Sequence, residues 1–212
     1  MDRVILVILM LSVIASAQER APVKCLEDSP ERRGEEGCSI LASRPLAGAL
    51  TTPVYWHIDR FDSLESAKKA AGPNGVAAEA HGGFWLMTVE ETSKTHYGGR
   101  HVAWIGPIVL TSSGHNMMRA VSSLLRPGGS TPAHVHPSTE VVYVVEGEQC
   151  METPSAGHRL GTGKSLILPG GTVHRGRVSG SSARRALGLV LFGGDNPSSR
   201  DLSDPPQLIP CK

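Results

Sequence analysis

The chain has 212 residues, of which 40% are hydrophobic and 19% are charged, a composition that suits a globular protein and argues against global disorder. The 21 Lys and Arg residues against 20 Asp and Glu residues leave a formal net charge of +1 without a basic block, so we expect no nucleic-acid partner. The 24 glycines and 15 prolines favour a turn-rich fold over a helical bundle.

The N-terminus has the pattern of an export signal. An apolar run over 4–14 is interrupted only by Ser12, and Ala15-Ser16-Ala17 then has the small-x-small pattern of a signal peptidase site. A helix of that length rises about 16 Å at ~1.5 Å per residue, which is roughly half of a hydrocarbon core. We therefore predict a cleaved signal peptide over 1–17 and an exported protein, periplasmic or secreted, without membrane contact after cleavage. An uncleaved anchor is the alternative.

Export changes the interpretation of the four cysteines. Cys25, Cys38, Cys150 and Cys211 are an even set, and an oxidising compartment makes one or two disulfides the expected outcome. Four cysteines allow three connectivities, and free buried thiols are the alternative. A Cys25–Cys38 bond would close a short polar loop, whereas a Cys150–Cys211 bond would attach the C-terminal tail to the rest of the protein.

The N-terminal part of the mature chain, over 18–100, is predicted to lie outside the main domain. Residues 18–52 are polar and rich in Pro and Gly, which indicates a loosely ordered arm. A strand over 53–61 and one short helix follow in an extension over 53–100. The sequence 62–65 resembles a capping box with Asp62 as the cap, and the helix should run through Ala71 and end at Gly72-Pro73.

Short apolar runs separated by turn residues dominate the rest of the chain. Because no helices alternate with them, they favour an antiparallel sandwich or barrel. The run 141–145 is apolar at both parities, which predicts a strand that is covered on both faces. The predicted strands are 84–89, 102–110, 117–125, 141–145, 165–168 and 186–192.

Four residues between Gly128 and His174 are candidate metal ligands. His134 and His136 are two residues apart, so both side chains point to one side of an extended backbone, and Glu140 shares their parity. A third imidazole, His174, stands at the start of a later predicted strand. Three imidazoles and a carboxylate suit a divalent transition metal and leave positions open for water or substrate. Taken singly, a histidine near a turn is more simply a surface residue.

These residues carry a resemblance to a known family, the cupins. The usual Asn four residues after the last histidine is Val178 here, which removes a turn-stabilising group but no ligand. The two motifs that resemble the cupin motifs are Gly128-(five residues)-His134-Val135-His136-(three residues)-Glu140-(six residues)-Gly147 and Gly163-(five residues)-Pro169-Gly170-Gly171-(two residues)-His174.

The resemblance implies an all-β fold, a double-stranded β-helix or jelly-roll barrel, over 101–195, with a C-terminal tail over 196–212. It also implies one divalent transition metal ion inside the barrel, Mn, Fe, Ni, Cu or Zn. A metal-free barrel pocket is the alternative. The motif glycines and Pro169 fit turn positions. The implied metal ligands are His134, His136, Glu140 and His174.

Residues outside the motifs are weaker candidates for the site. Arg119 precedes the first motif and could meet an anionic substrate or be a surface cation, and Tyr143 should face away from the metal because of its odd offset from Glu140. Five residues could line the cavity mouth, although core packing is their more ordinary role: Trp85, Met87, Trp104, Met117 and Met118. The other histidines should be structural or exposed: His57, His81, His96, His101, His115 and His158.

The leading functional hypothesis is an exported mononuclear metalloenzyme of the dioxygenase type that acts on a small organic substrate, with Glu140 as ligand and base. A metal-dependent isomerase is the second enzymatic alternative. The third is a non-catalytic, metal-containing module that binds a sugar or a small organic acid, because function depends on the contents of the pocket rather than on the barrel. The resemblance also makes a homodimer formed through exposed strand edges a possible assembly, because an uncovered edge invites pairing.

Overall fold

The structure is a computed structural model, and it describes residues 24–29, 34–48, 50, 53–93, 97–110, 116–193 and 199–212. The predicted signal peptide lies outside these residues, as do His96 and His115. Within the described residues the elements are β1 (Cys25–Glu27), β2 (Gly37–Pro45), β3 (Val54–Phe61), α1 (Leu64–Ala70), β4 (Gly75–Ala80), β5 (Gly83–Glu90), β6 (Arg100–Ile108), β7 (Asn116–Leu125), β8 (His134–Val135), β9 (Glu140–Glu146), β10 (Glu148–Glu152), β11 (Gly157–Gly161), β12 (Ser165–Leu168), β13 (Arg175–Val178), β14 (Arg184–Gly193) and β15 (Arg200–Asp201).

The strands form four sheets. The largest has six strands in the order β1-β2-β7-β14-β9-β12, and a three-stranded sheet has the order β11-β10-β13. A two-stranded sheet joins β15 to β8, and the fourth sheet has the order β4-β5-β3-β6. The prediction of an all-β jelly-roll fold with a helix-containing N-terminal extension is confirmed, and the six predicted apolar runs correspond to β5, β6, β7, β9, β12 and β14.

β14 lies inside the large sheet, between β7 and β9, and both of its faces are covered. Leu187, Leu189 and Leu191 belong to the main hydrophobic core on one face. Ala186, Gly188 and Val190 face the interior cavity on the other. The neighbouring strand β9 is buried in the same way over most of its length, as its continuous apolar run predicts.

The four-stranded sheet packs against the outer face of the barrel. Trp56 and Met87 from this sheet share one core with Leu189 and Tyr143 from the large sheet. Tyr143 therefore lies on the side of β9 away from Glu140, as predicted. Trp85, Met87 and Met118 also belong to this core, whereas Trp104 is 52% exposed.

The prediction of a loosely ordered arm is wrong for β2. This strand joins the large sheet by pairing with β7, and it carries β1 on its other side. Cys38 and Ile40 are buried while Gly37 and Ser39 are partly exposed, which is the alternation of a half-buried strand. Flanking Gly and Pro residues conceal this short alternation in the sequence. The start of the predicted barrel also differs. β6 begins at Arg100, next to the predicted boundary at 101, but it pairs with β3 in the four-stranded sheet rather than with a barrel strand.

The single helix of the described residues begins one residue later than the capping box predicts. Ser63, not Asp62, is the N-cap, and its hydroxyl accepts a hydrogen bond from the backbone N–H of Ser66. Serine is as good a cap as aspartate, so residue type alone could not separate the two. The helix ends at Ala70 and Ala71 is its C-cap, close to the predicted end.

Two disulfides connect the four cysteines, and they pair Cys25 with Cys38 and Cys150 with Cys211. The first joins β1 to β2, and the second attaches the C-terminal segment to β10. Among the described residues, no helix is long and apolar enough to span a membrane.

Candidate metal centre

Two short segments that contain histidines are joined by backbone hydrogen bonds. His134, at the start of β8, and His174, just before β13, form an antiparallel bridge in which each N–H donates to the carbonyl of the other, at 3.0 and 2.9 Å. Their side chains therefore leave the backbone at the same level of the barrel. The pairing of β12 with β9 and of β14 with β9 then places Glu140 beside them.

The turn at Pro169-Gly170-Gly171 brings the second motif against the first. A Cβ atom on Gly170 would lie 2.6 Å from the carbonyl oxygen of Pro137, so this close approach requires glycine. The N–H of Gly171 donates to the carbonyl oxygen of His136 at 2.8 Å. Gly128, Gly147 and Gly163 have φ values of 80°, 82° and 78°, which confirms that they occupy turn positions that favour glycine.

Four side chains meet at this end of the barrel. The ligand atoms of His134, His136, Glu140 and His174 all lie within 4.8 Å of one another. Oε2 of Glu140 is 2.7 Å from Nε2 of His174 and 3.6 Å from Nε2 of His136. The structure thus brings together the four residues that the motif spacing singles out, and we refer to them as the His3Glu cluster.

Backbone carbonyls orient two of the imidazoles. Nδ1 of His134 is 2.9 Å from the carbonyl oxygen of Pro132, and Nδ1 of His174 is 2.8 Å from that of Thr172. Because a carbonyl oxygen only accepts, each Nδ1 donates its proton and each Nε2 keeps a lone pair. This arrangement is the one usually found behind histidines that bind metals.

The protonation states of the cluster suit a cation. Burial lowers the pKa of His134 to about 4, and the nearby His174 adds to the effect, so His134 is neutral at physiological pH. Burial opposes ionisation of Glu140, but the three imidazoles hold the pKa of its carboxyl below the usual range. Burial also disfavours the charged form of His174, yet the Glu140 carboxylate raises the pKa of this imidazole. A proton on His174 therefore competes with a metal ion.

The cluster passes a test for metal binding that is independent of the motif. Oε2 of Glu140 and Nε2 of His174 are buried, and apart from each other, at 2.7 Å, neither has a hydrogen-bond partner among the described residues, although buried polar atoms are normally paired. With Nδ1 of His174 donating to Thr172, the two facing atoms are both acceptors. Nitrogen and oxygen ligands lie about 2.0–2.2 Å from a transition metal ion, so ligands of one ion are roughly 3–4 Å apart. The separations in the cluster, which include 2.7 and 3.6 Å and stay within 4.8 Å, bracket that spacing, and a cation at the centre would pair both of these acceptors.

A cavity of about 220 Å³ adjoins the His3Glu cluster inside the barrel. Inward-facing residues of the two barrel sheets line it, and Val142 and Met151 give it an apolar wall. Three of its polar lining residues are not suggested by the sequence motifs: Ser123, Gln149 and Arg184. The one available signal is parity, since Arg184 shares the parity of the cavity-facing residues Ala186, Gly188 and Val190 in β14.

Arg119, the sequence-based candidate for anion binding, also lines the cavity. Its Nε donates to Oγ of Ser43 at 2.8 Å, and its guanidinium lies 5.4 Å from the ring centroid of Phe192. These contacts engage the guanidinium with Ser43 and Phe192. None of the five Trp and Met residues proposed for the cavity mouth is among the lining residues.

The remaining described histidines lie away from the cluster. His57 is fully buried in β3 with Nε2 2.7 Å from the carbonyl oxygen of Thr92, and His101 contacts Asp59 at 3.2 Å. His81 approaches the carbonyl oxygen of Ala186, and His158 lies on β11. Within the described ranges, the His3Glu cluster is the one group of His, Cys, Asp and Glu side chains that meets closely enough to hold an ion.

The fold and the cluster together define a class: a double-stranded β-helix with three histidines and one glutamate facing an internal cavity. Residues 122–190 match the family model described as the Cupin domain. This region belongs to the cupin superfamily, as the resemblance of its motifs implies. A comparison with curated proteins finds no match.

Solved structures of several proteins are similar to part of this chain. DMSP lyase DddQ from Ruegeria pomeroyi DSS-3 is 25% identical over 39% of this chain and 42% of the lyase, with a TM-score of 0.35. A cupin-like protein from Thermotoga maritima is 16% identical over 42% of this chain and 77% of its own, with a TM-score of 0.36. The polyketide cyclase RemF from Streptomyces resistomycificus is 24% identical over 40% of this chain and 60% of the cyclase, with a TM-score of 0.35. The matched region is thus less than half of the lyase.

Proposed function

We propose that this protein is a mononuclear metal-binding cupin in which His134, His136, Glu140 and His174 hold one divalent transition metal ion. The observation that carries the proposal is the convergence of four ligand atoms within 4.8 Å, two of them buried without any other partner. A donor set of three imidazoles and one carboxylate suits Mn, Fe, Ni, Cu or Zn rather than a hard cation such as Ca²⁺.

We further propose that the site is catalytic and of the dioxygenase type. A bound redox-active ion would supply Lewis acidity and electron transfer at positions that face the cavity. The cavity of about 220 Å³ beside the cluster supports this proposal, because it leaves room for a small organic substrate next to the ligands.

Glu140 has two proposed roles in this site. Its pKa, held low by the neighbouring imidazoles, keeps the carboxylate ionised, as a metal ligand must be. The same carboxylate is the group of the cluster that can accept a proton from a substrate in the cavity, which would make it the base. A low pKa weakens a base, so the role of ligand is the primary one.

Export is part of the proposal. The two disulfides support it, because such bonds persist in oxidising compartments and are rare in the reducing cytosol. The homodimer also stays a proposal, for which the edge strand β6 and the exposed ring of Trp104 offer a surface.

The test of the metal site is His136→Ala. We expect its metal affinity to fall at least tenfold, because even changes to residues behind the ligands cost about 10–100-fold. The measurement is elemental analysis of the purified protein, followed by competition with a chelator. His158→Ala is the matched control, since this histidine lies on β11 outside the cluster. Undiminished metal content in His136→Ala would contradict the assignment.

Oxygen uptake separates the dioxygenase from its alternatives. The metal-loaded protein is screened in an oxygen electrode with flavonoids, diketones and thiols, which are oxygen-reactive or chelating substrates. Uptake that disappears in His136→Ala supports the dioxygenase. Interconversion of sugars without uptake of O₂ would instead support the isomerase, and ligand binding without either reaction would support the binding module.

A further inference from the structure

The far end of the cavity contains a buried cation. Arg184, in β14, is only 2% exposed and lines the cavity that adjoins the His3Glu cluster. Its Nη1 donates to Oγ of Ser123 and lies 3.5 Å from the carbonyl oxygen of that residue. Its Nε is buried without a hydrogen-bond partner, and none of the ion pairs among the described residues involves Arg184. The guanidinium is therefore held in place but left without a counterion.

A buried guanidinium without a counterion is unusual. Removing a charge from water costs several kcal/mol, which an ion pair or hydrogen bonds normally offset. Burial lowers the pKa of Arg184 to about 10, while the charge of Glu140 acts in the opposite direction, so the group remains charged at neutral pH. The cost of this buried charge calls for a partner that the described residues do not supply.

A second unpaired donor lines the same cavity. Gln149, in β10, is 1% exposed, and its Nε2 amide has no hydrogen-bond partner. Buried donors are nearly always paired, so two unpaired donors around one cavity indicate a ligand with acceptor oxygens.

The register of the strands places these donors relative to the cluster. Val190 in β14 pairs with Glu140, and Ala186 pairs with Ser123, whose hydroxyl holds the Arg184 guanidinium. The four residue steps from Ala186 to Val190 span about 13 Å at ~3.3 Å per step. Gln149 pairs with Val178, four residues beyond His174. Both donors thus lie at a different level of the cavity from the His3Glu cluster, and a small ligand can face both.

We propose that this cavity binds a small organic acid, whose carboxylate accepts hydrogen bonds from Arg184 Nε and Gln149 Nε2 while its other oxygen group faces the His3Glu cluster. The inference rests on the proposed function, because it assigns the substrate class of the same site. A divalent ion bound by one glutamate and three neutral imidazoles leaves the cluster positive, and Arg184 adds a further positive charge. Both charges favour an anion over a neutral sugar.

The test uses four acids as probes, acetate, oxalate, malonate and succinate, each with its uncharged amide of the same size. Binding is measured by calorimetry and by thermal shift on metal-loaded and on metal-free protein. We expect at least one acid to bind the wild type with its amide at least tenfold weaker, and Arg184→Met to weaken acid binding at least tenfold. Arg185→Met is the matched control, since that side chain pairs with Glu146 on the outer surface.

Elemental analysis of each variant separates this inference from the metal assignment. Arg184→Met with full metal content and no acid binding supports both, whereas an acid that binds metal-free wild type through Arg184 supports the inference even if the metal assignment fails. Gln149→Met removes the second donor without removing a charge, so we expect a smaller loss of acid affinity in this variant. It replaces Arg184→Met as the test if that variant does not fold. Absence of binding by all four acids in the wild type, or equal binding by Arg184→Met and the wild type, overturns the proposal.

Discussion

His81 combines an unusual backbone conformation with a half-buried side chain. Its φ is 52°, the only positive value at a residue other than glycine among the described residues. The Nε2–H group donates to the carbonyl oxygen of Ala186 at 3.0 Å and so links the four-stranded sheet to β14. Burial lowers the pKa of His81 to about 4, with Arg185 and Arg184 adding to the effect and the carbonyl contact and Glu146 opposing it.

This pKa predicts how stability depends on pH. Between about pH 6.5 and 4 the unfolded chain binds a proton on His81 that the folded protein does not, so the free energy of unfolding falls as the pH is lowered through this range. Asparagine tolerates a positive φ, so His81→Asn is the test variant. Between pH 7 and pH 4 we expect its free energy of unfolding to fall by about 2–3 kcal/mol less than that of the wild type. Urea unfolding at several pH values measures this difference.

Other groups that titrate in this range, including the cluster histidines, are common to both proteins and cancel in the comparison. Parallel curves of unfolding free energy against pH for the two proteins would show that His81 is protonated in the folded state or lies outside the packed region.

At the scale of elements, the turn after β12 decides how the two halves of the cluster meet. Gly170 lies against the backbone of Pro137 and Ser138, and the N–H of Gly171 donates a hydrogen bond to the carbonyl oxygen of His136. We expect Gly170→Ala to push these segments apart, which would lower stability by about 1–3 kcal/mol and weaken metal binding at least tenfold. Thermal melting and chelator competition measure the two effects.

Gly161→Ala is the control for this substitution. A Cβ atom at Gly161 meets no atom within 4 Å, and the backbone there is in an ordinary region, so both stability and metal affinity should be unchanged. If Gly170→Ala binds metal as the wild type does, the close approach of the two segments is not what positions His136 relative to His174.

The elements also show which parts of a fold can be predicted from sequence. β9 and β14 are predictable because both faces are buried, which leaves a continuous apolar run. β10 and β13 escape prediction because several of their inward-facing residues are polar. In β10 the buried Gln149 and Glu152 interrupt the alternation of apolar and polar residues that predicts a strand. The cap at Ser63 differs from the expected Asp62 because two good cap residues stand side by side.

The same reasoning applies to the candidate site. The spacing of its three histidines and one glutamate is a local property of two segments, so the sequence indicates the set and the structure brings the set together. Arg184 and Gln149 have no motif, and their meeting depends on the register of β14 and β10 around the cavity. The sequence suggests Arg119 as the residue that binds an anion, because it precedes the first motif, but its side chain contacts Ser43 and Phe192.

At the scale of the whole molecule, the C-terminal segment ties the barrel together. β15 pairs with β8, which carries His134, and the N–H of Ile209 donates to the carbonyl oxygen of Thr153 at 2.9 Å. The Cys150–Cys211 bond then fixes the end of this segment to β10 across a sequence separation of 61. The segment therefore crosses from the ligand strand to the opposite sheet, and the disulfide holds it there.

Removal of this bond in a Cys150→Ser, Cys211→Ser variant should lower the melting temperature by roughly 10 °C, because closing a loop of this length contributes about 4 kcal/mol in the chain-entropy account. The control is Cys25→Ser, Cys38→Ser, whose bond spans a separation of only 13 and joins an exposed strand, so its loss should cost less. Reducing agent breaks both bonds, so it should lower the melting temperature of the wild type by at least this shift and that of the Cys150→Ser, Cys211→Ser variant only by the smaller amount due to Cys25–Cys38. Four free thiols by mass spectrometry of the untreated protein, or an unchanged melting temperature on reduction, would show that the C-terminal segment is held by its hydrogen bonds alone.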